Sequence, residues 1–172
     1  MTTVLKSLHE AGIMVVASAG NEGPGCASIG DQPATLTDWV FNVGSYSHPI
    51  NRISMFSSRG PSVIDGKMGP DLTAPGERIR SSTKNGGYSD FFSGTSMAGP
   101  HVVGAVALLW SADPSLIGKI AETKAILRAT AEPKTVFQDC DNKPGSQVPN
   151  NTFGFGTLNI YKAVKSRLPL GE

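Results

Sequence analysis

Apolar residues along the chain come in short continuous blocks separated by turns that are rich in glycine and proline. The block IMVVASAG at 13–20 predicts a strand covered on both faces, as in a parallel sheet. WVFNVGSYS at 39–47 predicts a second strand, and the proline-bracketed stretch PDLTAPGERIRSS at 70–82 predicts a further short pair. MFSSRGP at 55–61 predicts a short extended piece that ends at a Gly-Pro break.

The N-terminal stretch MTTVLKSLHEAG has apolar residues at helical spacing. Val4, Leu5 and Leu8 fall on one face, and Gly12 follows the last periodic position. Glycine is common just after a helix because it adopts the left-handed backbone conformation readily. We therefore expect an amphipathic helix that ends near Gly12 and leads into the first strand.

Three further helices are expected in the second half of the chain. Residues 88–96 pass from a strand through a glycine turn into a helix, and residues 96–111 are apolar on all sides, which indicates a central helix. Residues 115–131 have the amphipathic pattern of a surface helix. FGFGTLNIYKAVKSRL at 153–168 predicts a glycine-rich turn followed by a final helix.

Strands that alternate with helices indicate an α/β fold in which helices flank a mostly parallel sheet. Residues 131–152 contain three prolines and several Asn and Gly residues, and they predict a long irregular loop inserted into that fold. No internal repeat or linker interrupts the sequence. Residues 1–172 are therefore expected to form one domain or part of one.

Charge and hydropathy argue against two classes of function. The 172 residues carry 15 basic and 14 acidic side chains with no basic stripe, which disfavours nucleic-acid binding. The apolar run at 102–110 is about half of the roughly 20 residues that a membrane-spanning helix needs. The N-terminus lacks the basic and apolar regions of a signal peptide, and a chain that begins inside a helix reads as truncated.

SGTSMAGPH at 93–101 places polar and conformationally special residues at a helix start. Gly94 allows a sharp turn from strand into helix, so Ser96 falls at the helix N-terminus, where free N–H groups favour an anion. Pro100 removes a helical hydrogen bond just past the first turn. Ser96 could alternatively be a simple N-cap of this helix. Asn21, which follows the buried strand in NEGPGC, could alternatively be a turn residue or a helix cap.

The whole string GTSMAGPHVVGAVALLW resembles the nucleophile segment of the subtilisin-like serine proteases, the subtilases. VVASAGNEG resembles their oxyanion-asparagine segment, and FSSRGP, PDLTAPG and FGFGTLNIYKAV resemble further landmarks of the family in the same order. The resemblance covers nearly the whole chain. It implies a three-layer, subtilisin-like α/β fold of which this chain would be the C-terminal portion.

The resemblance implies roles for individual residues. Ser96 would be the nucleophile, and the Asn21 side chain, with the backbone N–H of Ser96, would stabilise the oxyanion. Gly30 would lie at or near the floor of the pocket for the residue before the cleaved bond. Two interpretations of Glu22 and Asp31 stay open: they bias that pocket toward basic side chains, or they simply face water. One wall of the pocket would be formed by the residues that precede Asn21, namely Ser18, Ala19 and Gly20.

The Asp and His of the catalytic triad have no counterpart in the sequence, although in subtilases both precede the oxyanion asparagine. His101 lies on the same helix as Ser96 but about 140° around it, and the resemblance makes it a packing residue. His48 precedes a proline in a loop, and His9 is expected on the solvent side of the first helix. Asp71 in PDLTAPG is interpreted as structural.

Three functional hypotheses follow. The chain would be the C-terminal part of a serine endopeptidase, active only with an N-terminal part on another segment or chain. It would otherwise be a non-catalytic remnant that binds peptides, or a free-standing enzyme with a borrowed base. If the earlier strands of the family are absent, the strand at 13–20 or its neighbour would expose an apolar edge, and the isolated chain would associate.

The resemblance also bears on partners, cofactors and location. The substrate would be an extended polypeptide and no organic cofactor is expected, whereas calcium stays open because no calcium-loop pattern occurs. Cys26 and Cys140 would be free thiols in a cytosolic protein and a disulfide in a secreted one, and the family favours an extracellular setting. Asn150, in NNT, matches a glycosylation acceptor.

Overall fold

The computed structural model describes residues 1–168 of the chain. This part contains four helices and six short strands. None of these helices has the length and apolarity that crossing a membrane requires. A 3₁₀ turn at Pro114–Leu116 precedes the third helix. The helices are α1 (Thr2–Glu10), α2 (Thr95–Ala112), α3 (Ile120–Thr130) and α4 (Ile160–Lys165), and the strands are β1 (Val16–Ser18), β2 (Phe41–Ser47), β3 (Arg52–Ile53), β4 (Leu72–Pro75), β5 (Ile79–Ser82) and β6 (Tyr88–Phe92).

The main sheet is built around β2 and is mostly parallel. β1 and β4 both pair with β2 in parallel, whereas the two-residue β3 pairs with it antiparallel. On the other side of β4, the segment at 156–158 runs parallel to it. Thr73 N–H donates to the Gly156 carbonyl at 2.9 Å, and Leu158 N–H donates to the Thr73 carbonyl at 2.8 Å. β5 and β6 form a separate antiparallel hairpin.

Helices cover both faces of the sheet, because successive side chains of a strand point to opposite sides. Ala17 of β1 packs with Leu5 of α1 on one face, and Val16 packs on the opposite face with α2. The larger apolar core lies between the sheet and α2, α3 and α4. This arrangement confirms the predicted α/β fold with helices on both sides of a mostly parallel sheet. The fully buried side chains of the larger core include Phe41, Val43, Leu72, Val102, Leu109 and Leu116.

Local differences from the expected elements have simple causes. Residues 55–61 form no regular strand but a bent segment that bonds the loop after β1: Gly23 N–H donates to the Phe56 carbonyl at 2.8 Å, and Ser58 N–H donates to the Gly20 carbonyl at 2.9 Å. Of the three apolar residues expected on one face of α1, only Leu5 is buried, and Val4 is 61% exposed.

Helix α2 is less central than its apolar sequence indicates. Its buried side packs on the sheet, but Val103 is 54% exposed and Leu108 is 58% exposed, since no element within residues 1–168 covers that side. β1 lies at the edge of the sheet beside it and pairs only with β2 in the part of the chain described. We call the exposed side of α2, residues 103, 104, 107 and 108, together with the free edge of β1, the open face.

Asp71 joins β2 to helix α3. Its Oδ2 accepts from the Asn42 N–H at 2.6 Å, and its Oδ1 accepts from Arg128 Nε at 2.9 Å and from Arg128 Nη2. Nearby, the buried Lys124 ammonium donates to the Val40 carbonyl at 2.9 Å, and burial lowers the pKa of this lysine. The carboxylate is therefore engaged by the scaffold, in keeping with a structural role.

Residues 131–152 contain no helix or strand and are held by side chains instead. The Asn150 side-chain amide donates to the carbonyls of Lys134 at 2.9 Å and Gln147 at 2.8 Å, and Asn150 is 1% exposed. The expectation of a glycosylation acceptor at Asn150 is wrong for this fold, because its amide is buried and used internally. Cys140 is bonded to Cys26 in a disulfide.

We predict that Arg128→Met destabilises the fold by about 2–3 kcal/mol, because it leaves the buried Asp71 carboxylate without its cation. Arg80→Met is the control. It breaks the exposed Arg80–Asp90 pair, which should contribute less than about 1 kcal/mol. Denaturant unfolding of both variants measures the difference, and equal losses would contradict the structural role of the Asp71 pair.

Candidate active site

Ser96 lies in the first turn of α2 and is exposed. The chain reaches it from β6 through Gly94, whose φ of 153° is rarely adopted by residues with a side chain, and Gly94 N–H donates to the Gly76 carbonyl at 2.8 Å. Gly76 has no room for a side chain, because an added Cβ would lie 2.3 Å from Ser45 Oγ. The glycines therefore allow β4, β6 and the start of α2 to meet closely, which places Ser96 at the surface.

Asn21 lies at the carboxyl end of β1 and reaches the residue next to Ser96. Its side-chain oxygen accepts two hydrogen bonds from Thr95, one from the backbone N–H at 2.9 Å and one from Oγ1 at 3.0 Å. Because the oxygen is engaged, the orientation of the carboxamide is fixed. Within residues 1–168 the Asn21 Nδ2 donors make no hydrogen bond, so they are available to an incoming acceptor.

A second hydrogen bond fastens the end of β1 to the start of α2. Ser18 Oγ donates to the Thr95 carbonyl at 3.1 Å, so Thr95 is held from both sides. Ala19 is 1% exposed, and Glu22 N–H donates to Ser58 Oγ at 3.0 Å. Sequence reasoning missed the roles of Thr95 and Ser58. Each supplies an ordinary hydroxyl or backbone group, and only the chain path brings its partner near.

The predicted pocket residues are only partly gathered by the structure. Ser18 and Gly20 lie beside Asn21 at the end of β1, as their position in the sequence requires. Gly30 is exposed and follows the fully buried Ile29, and an added Cβ on Gly30 would meet no atom within 4 Å. Its role at a pocket floor stays a prediction. Glu22 and Asp31 are both exposed.

A groove of about 470 Å³ opens beside Ser96, between the start of α2 and the β5–β6 hairpin. Any group that accepts the Ser96 proton must approach through the space around this hydroxyl. His101 lines the same groove, but its Nδ1 donates to the Met97 carbonyl at 2.8 Å, so the ring is turned to its own helix. The lining comprises Ile79, Arg80, Ser81, Ser82, Phe92, Ser96, Met97, Pro100 and His101.

No histidine within residues 1–168 is hydrogen-bonded to the Ser96 hydroxyl. His48 is exposed in its loop. The expectation that His9 faces solvent is wrong: its ring packs edge-on against Trp39 with centroids 5.8 Å apart, and its Nδ1 is buried and has no hydrogen-bond partner among residues 1–168. The His9 ring is therefore part of the packing between α1 and the loop before β2.

The side chains that commonly bind metal ions are not clustered in residues 1–168. Among the residues described, no group of three or more His, Cys, Asp or Glu side chains is arranged to hold an ion. Calcium binding through backbone carbonyls needs no such group. Calcium binding therefore stays open.

We predict that Thr95→Val loosens the Asn21 carboxamide, because it removes the Oγ1 bond and leaves the backbone N–H bond. The fold should lose about 1 kcal/mol, and ¹⁵N relaxation should show a more mobile Asn21 side chain. Thr130→Val is the control, since Thr130 Oγ1 bonds the Ile126 carbonyl in α3 at 2.8 Å. If both variants leave the Asn21 signal unchanged, Thr95 does not orient this carboxamide.

The family model for subtilases (Peptidase S8) matches residues 2–156. Pyrolysin of Pyrococcus furiosus is 39% identical over 88% of this chain and 12% of its own length. Bacillopeptidase F of Bacillus subtilis is 42% identical over 67% of this chain and 7% of its own length. Subtilisin of Bacillus sp. strain TA39 is 37% identical over 67% of this chain, which covers 29% of that protein.

Solved structures give the same picture. The S41 psychrophilic protease superposes with a TM-score of 0.76 at 27% identity, over 92% of this chain and 52% of its own. The prenylagaramide maturation protease PagA superposes with a TM-score of 0.72 at 26% identity, over 98% of this chain and 55% of its own. The chain thus spans about half the length of these structures.

Proposed function

The chain belongs to the subtilase family, and from that premise we propose that it supplies the nucleophile and the oxyanion donor of a serine endopeptidase. The observation that supports this proposal most directly is the pair of hydrogen bonds by which Thr95 holds the Asn21 oxygen. They bring the carboxamide, whose N–H donors make no hydrogen bond within residues 1–168, to the residue that precedes Ser96. The two chain segments joined there are 74 residues apart.

The proposed reaction proceeds through an acyl-enzyme. Ser96 Oγ attacks the scissile carbonyl while its proton passes to a base, and the Asn21 Nδ2–H and the Ser96 N–H bind the oxyanion that forms. The C–N bond then breaks, and the base returns the proton to the leaving amine. Water next attacks the ester, giving the free acid and restoring the Ser96 hydroxyl. Removing one oxyanion donor typically lowers turnover by about 10²–10³-fold.

The base and the carboxylate that orients it would come from an N-terminal part of the same protease domain, on another segment or chain. Two features support this. The groove beside Ser96 leaves space for a histidine to approach the hydroxyl, whereas His101 is bonded to Met97. The open face runs along α2 from that groove, and its exposed Val103, Leu108 and free β1 edge favour a covering segment.

A non-catalytic peptide-binding remnant is the second candidate. It is favoured by one observation, namely that no histidine within residues 1–168 bonds to Ser96. A remnant would have no need to keep the Asn21 donors free beside an exposed serine, so we rank it second.

The substrate would be an extended polypeptide, and no organic cofactor is required by the proposed steps. Glu22 and Asp31, both exposed near the predicted pocket, would favour basic side chains before the cleaved bond. An extracellular setting is proposed because the Cys26–Cys140 disulfide persists in oxidising compartments.

A fluorophosphonate reagent tests the nucleophile. The 172-residue chain alone should label negligibly, because Ser96 has no base, and labelling at Ser96 should appear once the N-terminal part is added. Ser96→Ala should abolish it, and Ser93→Ala, three residues away and outside the helix, should not. Labelling of the chain alone would contradict the proposal that its base is missing. Absence of labelling after the N-terminal part is added would favour the non-catalytic remnant.

Charge on the open face tests the partner. Leu108→Glu should prevent the N-terminal part from restoring labelling, and it should also suppress self-association of the isolated chain in sedimentation, because it places a carboxylate on an apolar contact surface. Ile117→Glu, at an equally exposed apolar residue beyond α2, is the matched control. Equal behaviour of the two variants would contradict a docking role for the open face.

A further inference from the structure

Residues 24–28 form an exposed turn between Asn21 and Gly30. Three contacts hold this turn: the buried Arg59 on its inner side, and the Gln138 side chain and the Cys26–Cys140 disulfide from the 131–152 loop. We call these three contacts the loop clamp.

Arg59 holds the turn from within. It is 4% exposed, and its Nη1 donates to the Pro24 carbonyl at 2.7 Å and to the Gln138 side-chain oxygen. Its backbone carbonyl accepts from the Ser28 N–H at 2.9 Å, and its own N–H donates to Ser28 Oγ at 2.9 Å. Burial lowers the pKa of Arg59. Both ends of the turn are thus bonded to one buried residue.

The 131–152 loop holds the turn from the outside. Gln138 Nε2 donates to the Pro24 carbonyl at 2.8 Å, which closes a ring of three groups with Arg59, and Cys140 is bonded to Cys26. The loop is itself fixed to the scaffold, because Asn151 Nδ2 donates to the Cys140 carbonyl at 3.1 Å. Gly60 N–H donates to the Asn151 carbonyl at 2.8 Å. The loop that carries Gln138 and Cys140 is therefore itself held in place by the rest of the fold.

Asn21 does not depend on these contacts. Its carboxamide oxygen is held by Thr95, and the backbone after it is held by Gly23 N–H, which donates to the Phe56 carbonyl. Neither contact involves the 131–152 loop. Between Gly23 and the buried Ile29, by contrast, the hydrogen bonds of the turn to other segments run to Arg59, Gly60 and Gln138, within the part of the chain described.

We propose that Arg59, Gln138 and the Cys26–Cys140 bridge are positioning residues for substrate, fixing the 24–28 turn beside the pocket without acting on the oxyanion donor. This inference rests on the proposed function for its kinetic consequence. The clamp would act on the affinity for peptide, because the turn joins the pocket wall before Asn21 to Gly30. The chemical step would be unaffected, because Asn21 and Ser96 have anchors of their own.

Amide hydrogen exchange on the 172-residue chain tests the clamp without any catalytic activity. In Arg59→Met, Gln138→Ala and the Cys26→Ser/Cys140→Ser double variant, the Ala27 and Ser28 amides should exchange on the order of tenfold faster. The Gly23 and Thr95 amides, which bond to Phe56 and to Asn21, should keep their rates. Gln147→Ala is the matched control, since Gln147 lies exposed in the same loop.

Two exchange results would overturn the proposal. If all four amides accelerate together, the clamp residues stabilise the fold as a whole rather than the turn. If neither Ala27 nor Ser28 changes, the clamp does not hold the turn. Because labelling of Ser96 plays no part in this measurement, a failure of the proposed function would leave its result intact.

Kinetics of the protease restored with its N-terminal part test the consequence. Gln138→Ala should raise KM for a peptide substrate several-fold with kcat within about twofold, and Arg59→Lys should recover part of the Arg59→Met loss by donating to Pro24. Reduction by an added dithiol, which supplies two electrons and two protons and is itself oxidised to a disulfide, gives the Cys26 and Cys140 thiols and should act like the double serine variant. A fall in kcat at unchanged KM would overturn the assignment to substrate positioning.

Discussion

The contact between Thr95 and Asn21 is the interaction on which the candidate site depends. Two hydrogen bonds to the carboxamide oxygen join the end of β1 to the start of α2, at the residue that precedes Ser96. Without this contact the serine would be an ordinary exposed residue in the first turn of a helix. The proposed acyl transfer depends on it, because an oxyanion donor must have a fixed orientation.

The scaffold makes this contact possible through two close approaches between chain segments. β4 and β6 meet at Gly76 and Gly94, and the end of β1 bonds the bent segment at 55–61 through Gly20, Glu22 and Gly23. Asp71 and Arg128 then fasten helix α3 to the central strand β2 from below the site. The contacts of Gly76, Gly94 and the 20–23 segment lie beyond the carboxyl ends of β4 and β1, which is the end where open α/β sheets place their ligands. Asp71, by contrast, precedes β4 and lies at the amino end of that strand.

The two sides of the Asn21 loop are held by different means. Asn21 is fixed by the family framework of β1, α2 and the 55–61 segment, whereas the turn at 24–28 is fixed by Arg59 and by the 131–152 loop. This division separates the anchors of Asn21 from those of the 24–28 turn. The 131–152 loop, which contains no helix or strand, bonds to the turn, whereas the Asn21 side chain bonds to Thr95. The open face lies elsewhere, along α2, where apolar side chains remain exposed.

The sequence by itself determined most of the elements, the parallel sheet and the family, and it singled out Ser96 and Asn21 as candidate site residues. Short apolar blocks and glycine turns are local signals, and the five family segments are contiguous strings. Tertiary structure alone decided which partners meet: Thr95 with Asn21, Arg59 with Gln138 and Cys26 with Cys140. It also decided that Asn150 and the His9 ring nitrogen are buried and that one side of α2 is open. Burial and long-range pairing depend on the path of the whole chain, and no local pattern of residues encodes that path.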